Sequence, residues 1–508
     1  GGVVAVHPSA TATGRTGGSR ARAAVRAMIR TGEAYREGIR DGREVWIDGE
    51  RVADVTKHPA LQPIIDVKAR MYDMAFEAAH QDTLTYVADN ERKSIFNKPP
   101  VEQKDWTDKV GAIDLVLKDI GGVVTRVGDE TVGEMWSLQD GRDVLAEISP
   151  QFAANIDRHI LAVRDNDVFH VSANTDPKGD RSLAPQDQDP DLMVHVTKET
   201  DAGIVIRGAK YETASAYADQ AFLKPTYGAW VNDKLSDYAV GCIVKMGAPG
   251  VKHMCRAGFA GRAPAADYPL ANRFDEVEAL VVFDDVLIPW EDVFFYRHTR
   301  AAQFIRGTLH RYSAFPFVLR LMYVADMMIG AALWNARQTG LDKLQSVREK
   351  LADLVCYREG INAHLTASLA MAERSPAGLL MPQQSMLFAG RVFACSGLPA
   401  MMHAARELCG GQICVTPNSA AFEAEGSGGW LRKFYTLNEN WQAEDRRKLL
   451  AFARDLLNSD YAGHRLTFAQ FAQAPHFNHL AAVYNNFDFS GPLDFVRKSA
   501  GLSDRVEK

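Results

Sequence analysis

The chain has 508 residues, 46% hydrophobic and 24% charged, with a formal net charge of −6. That length allows a large core divided into two or three lobes, and the mild acidity gives no electrostatic footprint for nucleic acid. The most apolar long stretch, Phe315 to Trp334, carries Arg320 and Asp326, which argues for a buried helix rather than a membrane span. Six cysteines, at 242, 255, 356, 395, 409 and 414, lack metal-ligand spacing. They read as free buried thiols of a reducing cytoplasm, and no metal site is expected.

Residues 1–27 are rich in Gly, Ala, Ser, Thr and Arg, with no acidic residue before Glu33. They read as a disordered leader or a transit-like segment, with Met28 as the expected natural start. From 28 to 165 the pattern is mainly helical. Thr31 is a capping residue that places Tyr35 and Ile39 on one helix face. Glu44 to Val52 predicts a hairpin with Asp48-Gly49 at its turn. Helices are expected over 60–80, 102–126, 130–138 and 150–163. From 166 to 300 the period shortens to that of strands, over 202–210, 237–244 and 251–256, which suggests a central antiparallel β-barrel or sandwich. The run Val281 to Tyr296 closes this segment. Asp284-Asp285 reads as a turn, Pro289 as the end of the ladder, and Trp290, Phe294, Phe295 and Tyr296 as core or interface aromatics. From 301 to 508 helical spacing returns, with a stop at Gly410-Gly411, and predicts a four-helix bundle with apolar stripes broad enough for subunit association. The fold class is therefore α+β, mainly α.

Motif searches exclude several chemistries. The chain has no G-x-G-x-x-G after a strand, no P-loop, no H-E-x-x-H and no G-x-S-x-G. A bound flavin would not be held by a Rossmann fingerprint.

Six strings carry a resemblance. They are Arg30-Thr-Gly-Glu-Ala-Tyr35, Asp41 to Val52, Asp180-Arg-Ser182, Glu199 to Lys210, Phe283 to Trp290 and Ser459-Asp-Tyr-Ala-Gly-His-Arg465. In order and spacing they resemble the 4-hydroxyphenylacetate 3-hydroxylase family, the oxygenase components of two-component flavin monooxygenases. The lobe order looks like the acyl-CoA dehydrogenase fold. The resemblance implies a cytoplasmic homotetramer, a dimer of dimers, without nucleic acid or membrane partners. It implies FAD bound as FADH2, with FMN less favoured, and a separate NAD(P)H flavin reductase. Reduced flavin and O2 would give a C4a-hydroperoxide that hydroxylates a phenol or related aromatic. A flavin-dependent acyl-CoA dehydrogenase or dehydratase of the same fold is the alternative. The dehydratase branch needs a cysteine pair in the first lobe, and none precedes Cys242.

Residue by residue, the resemblance places Ser215 beside flavin N5, with Thr213 in the same turn. Ser172, Asn174 and the loop Lys178-Gly179-Asp180-Arg181 would contact the flavin, as would Ser459, Asp460, Ala462 and Gly463. The simplest alternative for Gly463 is a helix C-cap. Arg126 matches the arginine of the family's phenolate clamp. Glu130 stands where the family has Tyr, and Ser172 where it has His, with His170 two residues earlier. These departures put 4-hydroxyphenylacetate itself in doubt. His170 and His310 are candidate bases near neutral pH. Arg311 would meet a substrate carboxylate, and Tyr227 would line the substrate site.

Overall fold

The computed structural model describes residues 24–125, 132–225, 233–308, 310–471 and 474–503. Strand β1 (Arg26–Ala27) already pairs in parallel with β5 (Glu91–Ser94), which pairs with β4 (Thr85–Ala88). Residues 24–27, set aside with the leader, therefore belong to the folded body. Thr31 caps the Gly32–Ile39 helix by accepting from the Ala34 amide at 3.0 Å, and Tyr35 and Ile39 are buried as expected. Strands β2 (Glu44–Ile47) and β3 (Glu50–Arg51) form the expected hairpin. Asp48 and Gly49 both take positive φ, +53° and +79°, which a two-residue turn of this hand requires.

The central region differs from an antiparallel barrel. Strands β6 (His170–Ala173), β9 (Gln220–Leu223), β10 (Val240–Lys245) and β13 (Val293–Tyr296) form one open sheet in the order β13-β10-β9-β6. A second sheet runs β3-β2-β11-β12-β8-β7, with β7 His195–Thr200, β8 Gly203–Thr213, β11 Val251–Cys255 and β12 Glu278–Pro289. Each sheet contains one parallel pairing, β6 with β9 and β2 with β11. Parallel partners are remote in sequence and leave no hairpin signal between them. The β2 pairing also threads the first lobe into the second sheet.

Strand β12 does end at Pro289, opposite Gly203. The Asp284-Asp285 break is a β-bulge inside this strand rather than a turn. The register against β8 shifts between Phe283 and Val286, and Asp285 takes φ +51°. Both carboxylates face solvent. Asp285 accepts from Arg207 at 2.6 and 3.0 Å, and Asp284 pairs with Lys252 at 3.2 Å. Phe294 and Phe295 are fully buried, which gives them the core role.

Beyond 300, the long helices His310–Thr339, Gln345–Ala370 and Gln384–Cys409 pack on one another, and Ala443–Leu457 packs on the first and third. Two of these are long and apolar enough to cross a membrane. Their packing makes them core helices. Asn335 donates to the Leu408 carbonyl and accepts from Arg446, both at 2.7 Å, and Asp326 is paired by Arg358 at 2.9 Å. The thiols are all free, but only Cys242, Cys395 and Cys409 are buried; Cys356 and Cys414 are exposed.

Candidate active site

A polar seam runs across one face of the four-stranded sheet. Side chains alternate along a strand, so the register β6·β9 sets His170 beside Gln220 and Ser172 beside Phe222, with Lys224 just past the strand end. Lys245 donates to Gln220 Oε1 at 2.6 Å, which fixes the amide so that its NH2 faces His170 Nδ1 at 3.1 Å. His170 Nδ1 is therefore an acceptor, and the neutral ring carries its proton on Nε2. His170 is wired as a donor, not as the base expected from sequence. One step along, Ser172 donates to the Glu134 carboxylate, and Glu134 Oε1 meets Lys224 Nζ at 2.9 Å. Glu134 comes from the Val132–Asp140 helix. Gly133 lets that helix sit close against Tyr312, whose Cβ is 2.8 Å from where a glycine substituent would begin.

The loop after β6 is anchored by a second buried lysine. Lys210 Nζ donates to the Asn174 carbonyl, the Lys224 carbonyl and Asp176 at 2.6 to 3.0 Å. Asn174 Oδ1 is buried and has no hydrogen-bond partner among the described residues. Lys178, Gly179, Asp180 and Arg181 are all exposed. Asp180 accepts from the Ser182 amide and hydroxyl at 2.9 and 2.6 Å.

A second cluster forms where β8 and β12 meet the Asp460–Phe471 helix. Thr213 pairs with Glu278 in register, and Glu278 binds His464 Nε2 at 3.1 Å. The structure thus brings the Thr213 turn and the Ser459 loop together. Ser459 accepts from the Ala462 amide at 3.1 Å and starts the helix. Gly463 lies inside that helix instead of capping the one before. Ser215 is fully buried and hydrogen-bonded to His253 Nδ1 at 3.1 Å, while His253 Nε2 meets the Met246 carbonyl at 2.8 Å. The carbonyl fixes the proton on Nε2, so the Ser215 hydroxyl donates to His253. Burial drops His253 to about 4. Ala214, between Thr213 and Ser215, holds a strained φ of +70°.

Sequence reading missed the centre of this cluster. Glu276 is completely buried and lies 3.3 Å from Lys68 and 3.6 Å from Arg465, and it accepts from the Thr125 amide and hydroxyl at 2.8 to 3.0 Å. Burial would raise its carboxyl, yet Lys68 and Arg465 hold it below the usual range. Glu278 is likewise opposed by burial but held down to about 2 by His464 and Arg256. Around these carboxylates three buried polar atoms make no hydrogen bond among the described residues: the Tyr217 hydroxyl, an N–H of Arg465 and His464 Nδ1. Such orphans are costly and each calls for an explanation. Beside Arg465 lies a mainly apolar cavity of about 70 Å³, lined by Val123, Leu270, Met328, Tyr461 and Leu466. The mixed donors next to an apolar chamber fit the carbonyl and ring-nitrogen edge of a flavin.

Arg126, Glu130 and Tyr227 lie outside the described residues, as does the side chain of His310. Arg311 is committed elsewhere: its Nε donates to the Pro382 carbonyl at 3.1 Å and it pairs with Glu373.

Family models describe the same chain in two parts, the 4-hydroxyphenylacetate 3-hydroxylase N-terminal model over residues 31–295 and the C-terminal model over 299–501. The pyoverdin chromophore biosynthetic protein PvcC of Pseudomonas aeruginosa is 31% identical, over 87% of this chain and 88% of that protein. The 4-hydroxyphenylacetate 3-monooxygenase oxygenase component of Thermus thermophilus is 26% identical over 91% and 95%. A crystal structure of such an oxygenase component, HpaB, complexed with FAD superposes with a TM-score of 0.86 at 26% identity, covering 94% of this chain and 99% of that one. An archaeal 4-hydroxybutyryl-CoA dehydratase shares the fold, with a TM-score of 0.85 at 21% identity. With both halves matched, the chain belongs to the 4-hydroxyphenylacetate 3-hydroxylase family of FAD-dependent aromatic monooxygenases.

Proposed function

We propose that this protein is the oxygenase component of a two-component system that hydroxylates a phenolic aromatic with O2, using FAD reduced by a separate flavin reductase. The observation that carries the cofactor side is the set of orphaned buried groups, Tyr217, Arg465 and His464, around Glu276 and Glu278. FAD supplies the oxygen-activating chemistry when bound; the protein holds its ring edge and keeps water out. Thr213, Ser459 and Ala462 border that cluster and are the proposed cofactor contacts, with Arg126 and the His170–Ser172 face on the substrate side. Because Glu130 and Ser172 replace the family's Tyr and His, the substrate is a phenol other than 4-hydroxyphenylacetate. Relatives with phenolic substrates include a 4-nitrophenol 2-monooxygenase oxygenase component of a Rhodococcus and a 2,4,6-trichlorophenol monooxygenase of Cupriavidus pinatubonensis.

Apolar side chains left exposed on the last two helices, among them Phe477, Tyr484, Leu493 and Phe495, together with Trp430 and Phe434, support association into a homotetramer. The cytoplasm is the proposed compartment, where six unpaired thiols persist. The test is to mix the protein with reduced FAD and air across a panel of para-substituted phenols and anilines. The expected result is hydroxylated product from at least one phenol. Failure to bind either oxidised or reduced flavin would overturn the reading.

A further inference from the structure

We propose that Ser172, Glu134 and Lys224 form a relay that takes the hydroxyl proton of the phenolic substrate. The three side chains come from β6, the Val132–Asp140 helix and the end of β9, and all are almost completely buried. An ion pair in such a place is rarely kept for stability, because apolar residues of similar volume do as well or better. Phe222 on the same sheet face shows that apolar packing is available there.

The hydrogen-bond directions define the relay. Ser172 gives its hydroxyl proton to Glu134, so the oxygen of Ser172 is left to accept. A phenol hydroxyl placed on that oxygen is connected to the carboxylate. The phenol O–H bond breaks and its proton joins Ser172 as the original Ser172 proton passes to Glu134. One O–H bond is lost and one gained at each step. The negative charge moves from Glu134 to the phenolate, and the Lys224 ammonium stays next to the chain throughout. His170 cannot do this work, because its Nδ1 lone pair is taken by Gln220. Asn174 Oδ1, two residues past Ser172, is a buried acceptor without a donor among the described residues, a second sign that a ligand completes this face.

Other charges do not supplant the pair. Lys210 and Glu212 on β8 act on Lys224, and Lys210 is itself neutralised by Asp176 at 2.6 Å. Burial lowers the Lys224 ammonium while Glu134 opposes that shift. Ser172 and Glu134 are thus assigned as catalytic residues, and Lys224 as a positioning residue that acts through Glu134.

The assignment rests on the phenolic reading, and the experiment separates the two. The full chain is titrated with 4-nitrophenol, whose colour reports phenol or phenolate, and the pKa of the bound probe is compared with that in water. The native protein is expected to lower it by roughly one unit or more, a tenfold preference for the phenolate. Ser172→Ala and Glu134→Gln are expected to abolish that lowering, and Ser172→Thr to restore it. Lys224→Arg retains the cation and is expected to keep part of the effect, should Glu134→Gln fail to fold. A Ser172→Ala protein that still ionises bound nitrophenol as the native one does, and still hydroxylates phenols, would overturn the relay alone. A native protein that binds no phenol overturns the relay and the phenolic reading together.

Discussion

Replacing Glu276 with Gln keeps the shape of the side chain and removes its charge. Two cations then lose their counter-ion, Lys68 at 3.3 Å and Arg465 at 3.6 Å. At an effective dielectric of about 20, a unit pair at that separation is worth about 5 kcal/mol before desolvation. Breaking a buried pair by removing one partner typically costs about 3–5 kcal/mol. The Thr125 amide and hydroxyl keep an acceptor, but an uncharged one. The opening free energy around Thr125 should fall by about 3 kcal/mol, roughly a hundredfold in exchange rate. Hydrogen–deuterium exchange at the peptide containing Thr125 reads this directly, without assuming that a chain of this size unfolds in one step. Protection at Thr125 that matches the native protein in Glu276→Gln would refute the claim that this carboxylate holds Thr125 in place.

Three further outcomes are expected. Tyr217→Phe should weaken FAD binding by about two- to tenfold, the worth of one hydrogen bond, without lowering the melting temperature, since the hydroxyl has no partner among the described residues; equal affinity with reduced stability would make Tyr217 structural. His253 is neutral when folded down to about 4, against an ordinary 6.5, so only the unfolded state takes up a proton between those values. Stability should be full above pH 6.5 and fall by about 3 kcal/mol as pH drops to 4, a dependence that thermal melts should show and that His253→Gln should remove. At the bulge, Asp285→Gly should be close to neutral, because glycine suits φ +51° while the solvent-exposed Arg207 pair contributes little. Asp285→Val should cost about 1–2 kcal/mol, and a neutral valine in thermal denaturation would contradict the assigned backbone strain.

Local chemistry was legible in the sequence wherever a single residue decides a backbone state. Thr31 as a cap, Asp48-Gly49 as a hairpin turn, Pro289 as a strand end and Gly410 as a helix stop all depend on one donor or one φ value. The barrel expectation failed for the opposite reason. Pairings such as Val171 with Ala221 and Val45 with His253 join segments separated by whole elements, so no neighbouring residue announces them. Gly463 misled because glycine after a helix suggests a cap. What decides it is Ser459, whose hydroxyl accepts from the Ala462 amide and so caps the new helix that starts at Asp460.

The same distinction explains why the charged interior of the site escaped the sequence. Glu134 and Lys224 sit among apolar neighbours in the chain, while Glu276 and Lys68 lie beside other charges, Asp275 and Glu278 or Asp66 and Arg70; either way a single charge ordinarily reads as the solvated edge of an element. A carboxylate and an ammonium identify each other as partners only when both are buried within reach, and here the partners are 90 and 208 residues apart. The usable hint was placement. Lys224 directly follows the wholly buried strand Gln220–Leu223, and Glu134 lies within the buried run Val132 to Leu138. A charge that interrupts a segment with no solvated face must be neutralised or used. Ser172 shows the gain from adding geometry. As a sequence position it records only the loss of a histidine. In the structure it is the residue whose hydroxyl direction converts a buried ion pair into a route for a proton.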